Sequence, residues 1–117
     1  MKMNNAQIFE AVQVLASAEE ERGLLGYAIA VNLRRLSAEI REYAAQRDEL
    51  LAKHGTDTGD GKYTLTRDQA AAFYEELQPF ADLETDVQIM LVEPAVFYGG
   101  SLTSGQMYAL SWMVKEG

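Results

Sequence analysis

The fold is decided by residues 26–54, which read GYAIAVNLRRLSAEIREYAAQRDELLAKH. Apolar residues recur there at alternating spacings of four and three residues, which is typical of a helix that packs along one seam. The seam comprises Ile29, Leu33, Leu36, Ile40, Tyr43, Arg47 and Leu50. We predict one helix from Gly26 to His54, about 40 Å long at roughly 1.5 Å per residue, ended by a C′ glycine at Gly55. Its seam must be covered by the first helix, the last helix or a second copy of the chain.

Length and composition describe one folded domain without thiol chemistry. The chain has 117 residues, of which 48% are hydrophobic and 24% are charged, so residues 1–117 are predicted to form a single domain. The absence of cysteine excludes disulfides, thiolate metal sites and a cysteine nucleophile. With one histidine, His54, a histidine-rich metal site within one chain is excluded as well.

Three capping boxes mark the starts of further helices. In each box an Asn or Thr is followed three residues later by Gln, so that each side chain can bond the other residue's backbone N–H. The pairs are Asn4 with Gln7, Thr66 with Gln69, and Thr103 with Gln106. The helices are predicted to run from Asn5 to Glu21, from Thr66 towards Phe80 with an end or kink at Pro79, and from Thr103 to Val114.

Two short strands complete the predicted elements. Lys62–Leu65 follows a turn at Asp60-Gly61, and Asp86–Val92 alternates in the pattern of a half-buried strand. Ala95–Ser101 is predicted as an aromatic loop. The expected fold class is mainly α (α+β), a helical hairpin or bundle around one long central helix with a small two-stranded β element. Parallel and antiparallel pairing of the two strands are both allowed.

Charge is distributed unevenly along the chain. The net charge is −8, and residues 56–117 hold three basic and ten acidic side chains, against seven and eight in residues 1–55. No Lys or Arg lies between Asp68 and Glu93, a stretch with seven carboxylates. Such a surface repels a phosphate backbone, so direct nucleic-acid binding is not expected. The stretch either matches a basic patch on another protein or maintains solubility.

Catalytic and metal-binding patterns are weak in this sequence. Aligning Gly61 with the invariant glycine of an EF-hand loop places Arg67 where the bidentate glutamate should be, which argues against calcium. His54 stands at no telling spacing from a nucleophile and suits the end of a helix dipole. For Arg34 and Arg35 we expect one ion pair with Glu39 and one apolar contact through the arginine stem. We therefore predict a protein that is not an enzyme and that holds no cofactor and no metal.

Aromatic side chains concentrate near the end of the chain. Phe97, Tyr98, Tyr108 and Trp112 suit either the core or the anchors of an interface, and the sequence leaves both open. Combined with the acidic stretch, they define the residues predicted to bind a partner. This set is Asp68, Glu75, Glu76, Asp82, Glu84, Asp86, Phe97 and Tyr98.

The order of the elements resembles a family of small phage and prophage proteins of unknown function. The resemblance covers nearly the whole chain, and its motifs are structural. They are Asn32-Leu33, Leu36, Tyr43, Arg47, Leu50-Leu51 and Lys53-His54-Gly55 in the long helix, then Gly61-Lys62-Tyr63, Phe73–Leu77, Asp86–Ile89 and Leu102–Gln106. The resemblance supplies no catalytic residue, and it implies a function in phage biology.

The expected function is that of a small acidic phage-type protein that binds another protein without catalysis. Its expected action is to inhibit a host defence or nucleic-acid-handling protein through the acidic stretch. The alternative is an oligomeric assembly or virion-accessory protein whose long-helix seam joins copies of the chain. MKMNNAQIFE has no apolar signal-peptide core and no run of 18 apolar residues follows, so we expect a location in the (host) cytoplasm and no membrane partner.

Overall fold

A computed structural model describes residues 1–116, and its longest element is the helix α2, Gly23–His54. The helix begins three residues before the predicted Gly26, because Gly23 takes a φ of +68° that turns the chain directly into it. It ends at His54, as predicted. Gly55 has a φ of −91° and is therefore not the expected left-handed cap. Its role is close packing, since a Cβ there would lie 2.7 Å from the Leu51 carbonyl oxygen.

The first helix, α1, spans Asn5–Ser17 and is shorter than predicted. Its capping box between Asn4 and Gln7 is confirmed, with both bonds at 2.8 Å. The chain reverses after Ser17 so tightly that the Glu21 carbonyl approaches the Cα of Gly26, where a Cβ would clash with it. This reversal needs a non-helical turn, and the predicted extension of the helix to Glu21 was therefore wrong.

Two separate antiparallel pairs form the β structure, and neither is the predicted pair. The strand β1, Lys2–Asn4, pairs with β4, Glu84–Asp86, while β2, Thr56–Asp57, pairs with β3, Tyr63–Thr64. Each of the two predicted strands thus contributes to a pair with a segment that was not predicted as a strand. The β2–β3 hairpin closes through Gly59 and Gly61, which have φ values of +93° and +80°.

The predicted strand Asp86–Val92 is a strand only at its first residue, because β4 ends at Asp86. Further along this segment, Met90 bonds to a side chain instead of a neighbouring strand. The Asn32 amide on α2 donates to the Met90 carbonyl at 3.0 Å and accepts from the Met90 N–H at 2.6 Å. At the far end Val92 forms a single parallel bridge with Val114.

The third helix, α3, spans Arg67–Ala81, and its capping box between Thr66 and Gln69 is confirmed. Pro79 does not end the helix, which continues to Ala81. The helix buries Phe73, Leu77 and Ala81.

The last third of the chain is more helical than predicted. A short helix α4, Pro94–Tyr98, replaces the predicted loop, because Pro94 provides a fixed φ in its first turn. The helix α5, Ser104–Ala109, starts at the confirmed capping box of Thr103 and Gln106. It gives way to a 3-10 turn over Ser111–Met113, so the predicted single helix to Val114 was wrong.

The seam of α2 is covered within the chain, by α1 and α3. Ile29, Leu36, Ile40 and Leu50 are at most 5% exposed. The one polar seam position, Arg47, places its guanidinium 4.9 Å from the ring of Phe9 on α1 and 5.6 Å from the ring of Phe73 on α3. Such cation–π contacts allow a charged side chain to lie where three helices pack together. The expected fold class is confirmed, and α1 and α3 contribute to the burial of the seam within the chain.

Candidate protein-binding surface

Three of the predicted site residues form a line along α3 and its C-cap residue, Asp82. Asp68, Glu75 and Asp82 follow one another at intervals of seven residues, about two helical turns, so they share one side of the helix. All three are exposed, on the side opposite Phe73 and Leu77, which face α2. We call Asp68, Glu75 and Asp82 the α3 acidic face.

The charges of the α3 acidic face are not compensated by any ion pair within residues 1–116. The ion pairs among residues 1–116 include none of its three carboxylates. Asp82 accepts a 2.7 Å hydrogen bond from the Gln78 side-chain amide, which orients the carboxylate without neutralising it. Glu84 follows on β4, and it is likewise exposed and outside those ion pairs.

Glu76, a neighbour in the sequence, turns towards α2 instead. Its Oε1 lies 2.7 Å from Nζ of Lys53 and 3.1 Å from Nε2 of His54. The hydrogen bond from the Lys53 ammonium is the main reason why the pKa of Glu76 lies below its usual value. Glu76 therefore ties α3 to the end of α2. The buried Nε2 of His54 lies beside the same carboxylate and makes no hydrogen bond with residues 1–116.

Asp86 also forms an ion pair within the chain. Its Oδ1 lies 2.9 Å from the Met1 ammonium, and this contact lowers the pKa of the Asp86 carboxyl. The six predicted carboxylates thus divide into two groups. Asp68, Glu75, Asp82 and Glu84 present free charge, whereas Glu76 and Asp86 hold elements of the fold together.

The two predicted aromatic residues do not belong to this surface. Phe97 is 1% exposed and lies in the core, so its prediction as a partner-binding residue is corrected. Tyr98 is 61% exposed, with its ring edge-on to Phe97 at 5.1 Å. Their helix, α4, packs against α2. Gly100, two residues after α4, lies so close to Leu25 near the beginning of α2 that a Cβ would clash with it, whereas Glu76 on α3 contacts the end of α2.

Other apolar side chains flank the α3 acidic face, and the sequence analysis missed them. Tyr74, Phe80 and Leu83 are exposed on α3 or directly after it. The helical repeat could have revealed Tyr74, since a residue one position from the buried Phe73 points about 100° away from it. The same repeat places Phe80, seven positions after Phe73, on the buried side, so it gave no signal there. In protein interfaces a polar rim commonly surrounds a centre that is enriched in aromatic residues. The α3 acidic face and the exposed apolar side chains beside it combine these two kinds of residue.

The described part of the chain offers little for other chemistry. Within residues 1–116 no group of three or more His, Asp or Glu side chains is placed to hold a metal ion. No helix in that range is long and apolar enough to cross a membrane. Arg34 and Arg35 make no ion pair there, so the expected pair with Glu39 does not form.

Comparisons with family models, with curated proteins and with solved structures give no match to this chain.

Replacing Glu76 by glutamine is expected to flatten the pH dependence of stability. Because folding lowers the pKa of Glu76, its ion pair stabilises the native state above the unfolded-state pKa, and the stabilisation is lost as the pH falls through the native-state pKa. Urea unfolding from neutral pH to about pH 3 should show a smaller loss for Glu76→Gln than for the wild type. The control Glu75→Gln, at an unpaired neighbour, should follow the wild type. Identical pH profiles for Glu76→Gln and the wild type would contradict the assigned ion pair.

Proposed function

We propose that this chain is a non-enzymatic protein-binding module that uses the α3 acidic face to bind a basic surface of another protein. The observation that carries the proposal is the line of three uncompensated carboxylates on the solvent side of α3. Carboxylates spaced by about two turns extend over roughly 20 Å of helix, the length of a typical contact between two proteins.

Electrostatics supports a protein as the partner. A net charge of −8, concentrated in the second half of the chain, speeds association with a basic patch and opposes approach to a phosphate backbone. A protein that itself binds nucleic acid has such a patch. The resemblance to small phage and prophage proteins suggests a host protein of this type, whose nucleic-acid site the module would occupy.

The experiment is a comparison of three tagged proteins in pull-downs from host lysate, with and without phage infection. The first protein is the wild type, and the second carries Asp68→Asn, Glu75→Gln and Asp82→Asn on the α3 acidic face. The third is a matched control with three exposed α2 carboxylates neutralised, Glu39→Gln, Glu42→Gln and Glu49→Gln. Both variants raise the net charge by three, so only the position of the change differs.

The proposal predicts one stoichiometric partner with a basic surface that the wild type and the α2 control retain and the α3 variant loses. Equal recovery of that partner by all three proteins would contradict the role of the α3 acidic face. Recovery of phage structural proteins, or of further copies of the chain alone, would instead support the assembly alternative.

A further inference from the structure

A cleft of about 1090 Å³ lies beside the first residue of the chain. One wall is the extended segment that follows β4, and the other is the segment around the 3-10 turn. Residues of both walls and of the chain start line it, including Met1, Gln88, Ile89, Leu91, Trp112 and Val114. The bridge between Val92 and Val114 joins the two walls at one end.

The extended wall carries backbone groups that the chain leaves unpaired. Val87 donates to the Met1 carbonyl at 2.8 Å, and Met90 bonds in both directions to the Asn32 amide. The other residues of segment 88–91 make no backbone hydrogen bond with residues 1–116; these are Gln88, Ile89 and Leu91. An extended segment with free N–H and C=O groups is a template for a further strand.

We propose that this cleft binds an extended peptide of a partner protein, which adds to residues 88–91 as an antiparallel strand in line with β1. The register of the β1–β4 pair determines the alignment. Met1 lies opposite Val87 and bonds to it in both directions, so a strand placed directly ahead of Met1 would pass Gln88, Ile89, Met90 and Leu91 in that order.

The side chains along the cleft define the chemistry of the peptide. Ile89, Trp112 and Val114 are half-buried and apolar, and they suit alternate apolar side chains of a bound strand. Arg35 also lines the cleft, and among residues 1–116 its guanidinium has no ion-pair partner. Of the other charged groups in the lining, Lys115 is paired with Glu93 and the Met1 ammonium with Asp86. Glu116 lies at the far end of the sequence from Met1 and joins no ion pair among residues 1–116. The structure therefore favours a peptide with an acidic residue at the end nearest Met1.

This site is separate from the α3 acidic face, and it would stand if the proposed function failed. A tethered peptide tests it without knowledge of the partner, because a short connection raises the effective concentration to about the millimolar range. The probe is the full chain with Thr-Val-Thr-Val-Asp joined directly ahead of Met1. The two valines then lie opposite Ile89 and Leu91, and the aspartate lies near Arg35.

The matched control carries Thr-Pro-Thr-Pro-Asp, because proline has no N–H to donate and resists strand pairing. Both extensions remove the ammonium that binds Asp86, so their difference reports strand addition alone. The proposal predicts backbone amide exchange at Ile89 and Leu91 at least tenfold slower with the valine extension than with the proline extension, and a blue shift of emission from Trp112, the one tryptophan of the chain. Equal exchange rates in the two proteins would overturn the proposal.

Arg35→Glu tests the charge preference independently. A further extension, Thr-Val-Thr-Val-Lys, replaces the aspartate by lysine. In the wild type the aspartate extension should slow exchange of the Ile89 and Leu91 amides more than the lysine extension does. In Arg35→Glu this order should be reversed. An unchanged order would overturn the assignment of Arg35 as the residue that selects an acidic peptide.

Discussion

Phe97→Ala is expected to lower the free energy of unfolding by about 3–5 kcal/mol, the usual cost of removing a buried phenylalanine ring. Phe97 is 1% exposed and belongs to the main hydrophobic cluster, so its removal leaves a cavity between α4 and its neighbours. Equilibrium urea unfolding of the variant and the wild type measures the difference. A residue that served only as an exposed anchor for a partner would show almost no loss.

Tyr98→Ala is the control for this prediction, because Tyr98 is the next residue and is 61% exposed. It loses the edge-on contact with Phe97, which is worth about 0.5–1.5 kcal/mol. If Phe97→Ala cost no more than Tyr98→Ala, the placement of Phe97 in the core would be wrong.

Asn32→Leu is expected to lower the free energy of unfolding by about 2–6 kcal/mol, since it leaves two backbone groups without a partner at about 1–3 kcal/mol each. Asn32 is fully buried, and its amide bonds to both the N–H and the carbonyl of Met90, 58 residues away. Leucine keeps the branched shape of asparagine without its polar atoms, so the variant removes both hydrogen bonds to Met90. Urea unfolding measures the stability, and hydrogen exchange of the Met90 amide reports the lost bond directly.

Asn5→Leu provides the comparison, because the Asn5 side chain makes one exposed bond, to the Phe80 carbonyl at 2.9 Å. It should cost about 1 kcal/mol or less. An Asn32→Leu variant as stable as Asn5→Leu, with the Met90 amide still protected, would show that Asn32 does not anchor the extended segment.

Features of the fold encoded by neighbouring residues could be predicted from the sequence. All three capping boxes join residues three positions apart, and all three form. The end of α2 at His54 and the burial of its seam follow from a periodicity that one helix carries by itself. The expected mainly helical class depended on such local signals.

Features that join distant parts of the chain could not be predicted in this way. The pairing of β1 with β4 connects residues more than 75 positions apart, and nothing in Lys2–Asn4 alone identifies a strand. An alternating pattern in residues 86–92 looks like a strand, but Asn32 of α2 takes the place of a strand partner. Periodicity describes which side chains are buried, and it does not identify the partner of a backbone N–H.

On the candidate surface, too, local features could be predicted from the sequence and contacts between distant residues could not. The seven-residue spacing of Asp68, Glu75 and Asp82 is visible in the sequence and places them on one side of α3. The neutralisation of Glu76 by Lys53 required the contact between α2 and α3. Charge counting along the chain therefore identified a segment rich in exposed carboxylates and overstated how many of them are free of ion pairs.

The most direct test of the central claim is the affinity of the recovered partner for the wild type, the α3 variant and the α2 control as a function of salt concentration. Electrostatic contacts weaken as salt shortens the screening length, which is about 10 Å at 0.1 M. The account predicts at least tenfold weaker binding of the α3 variant at low salt and a shallower salt dependence, while the α2 control binds like the wild type. Equal affinities and equal salt dependence for all three proteins would contradict it.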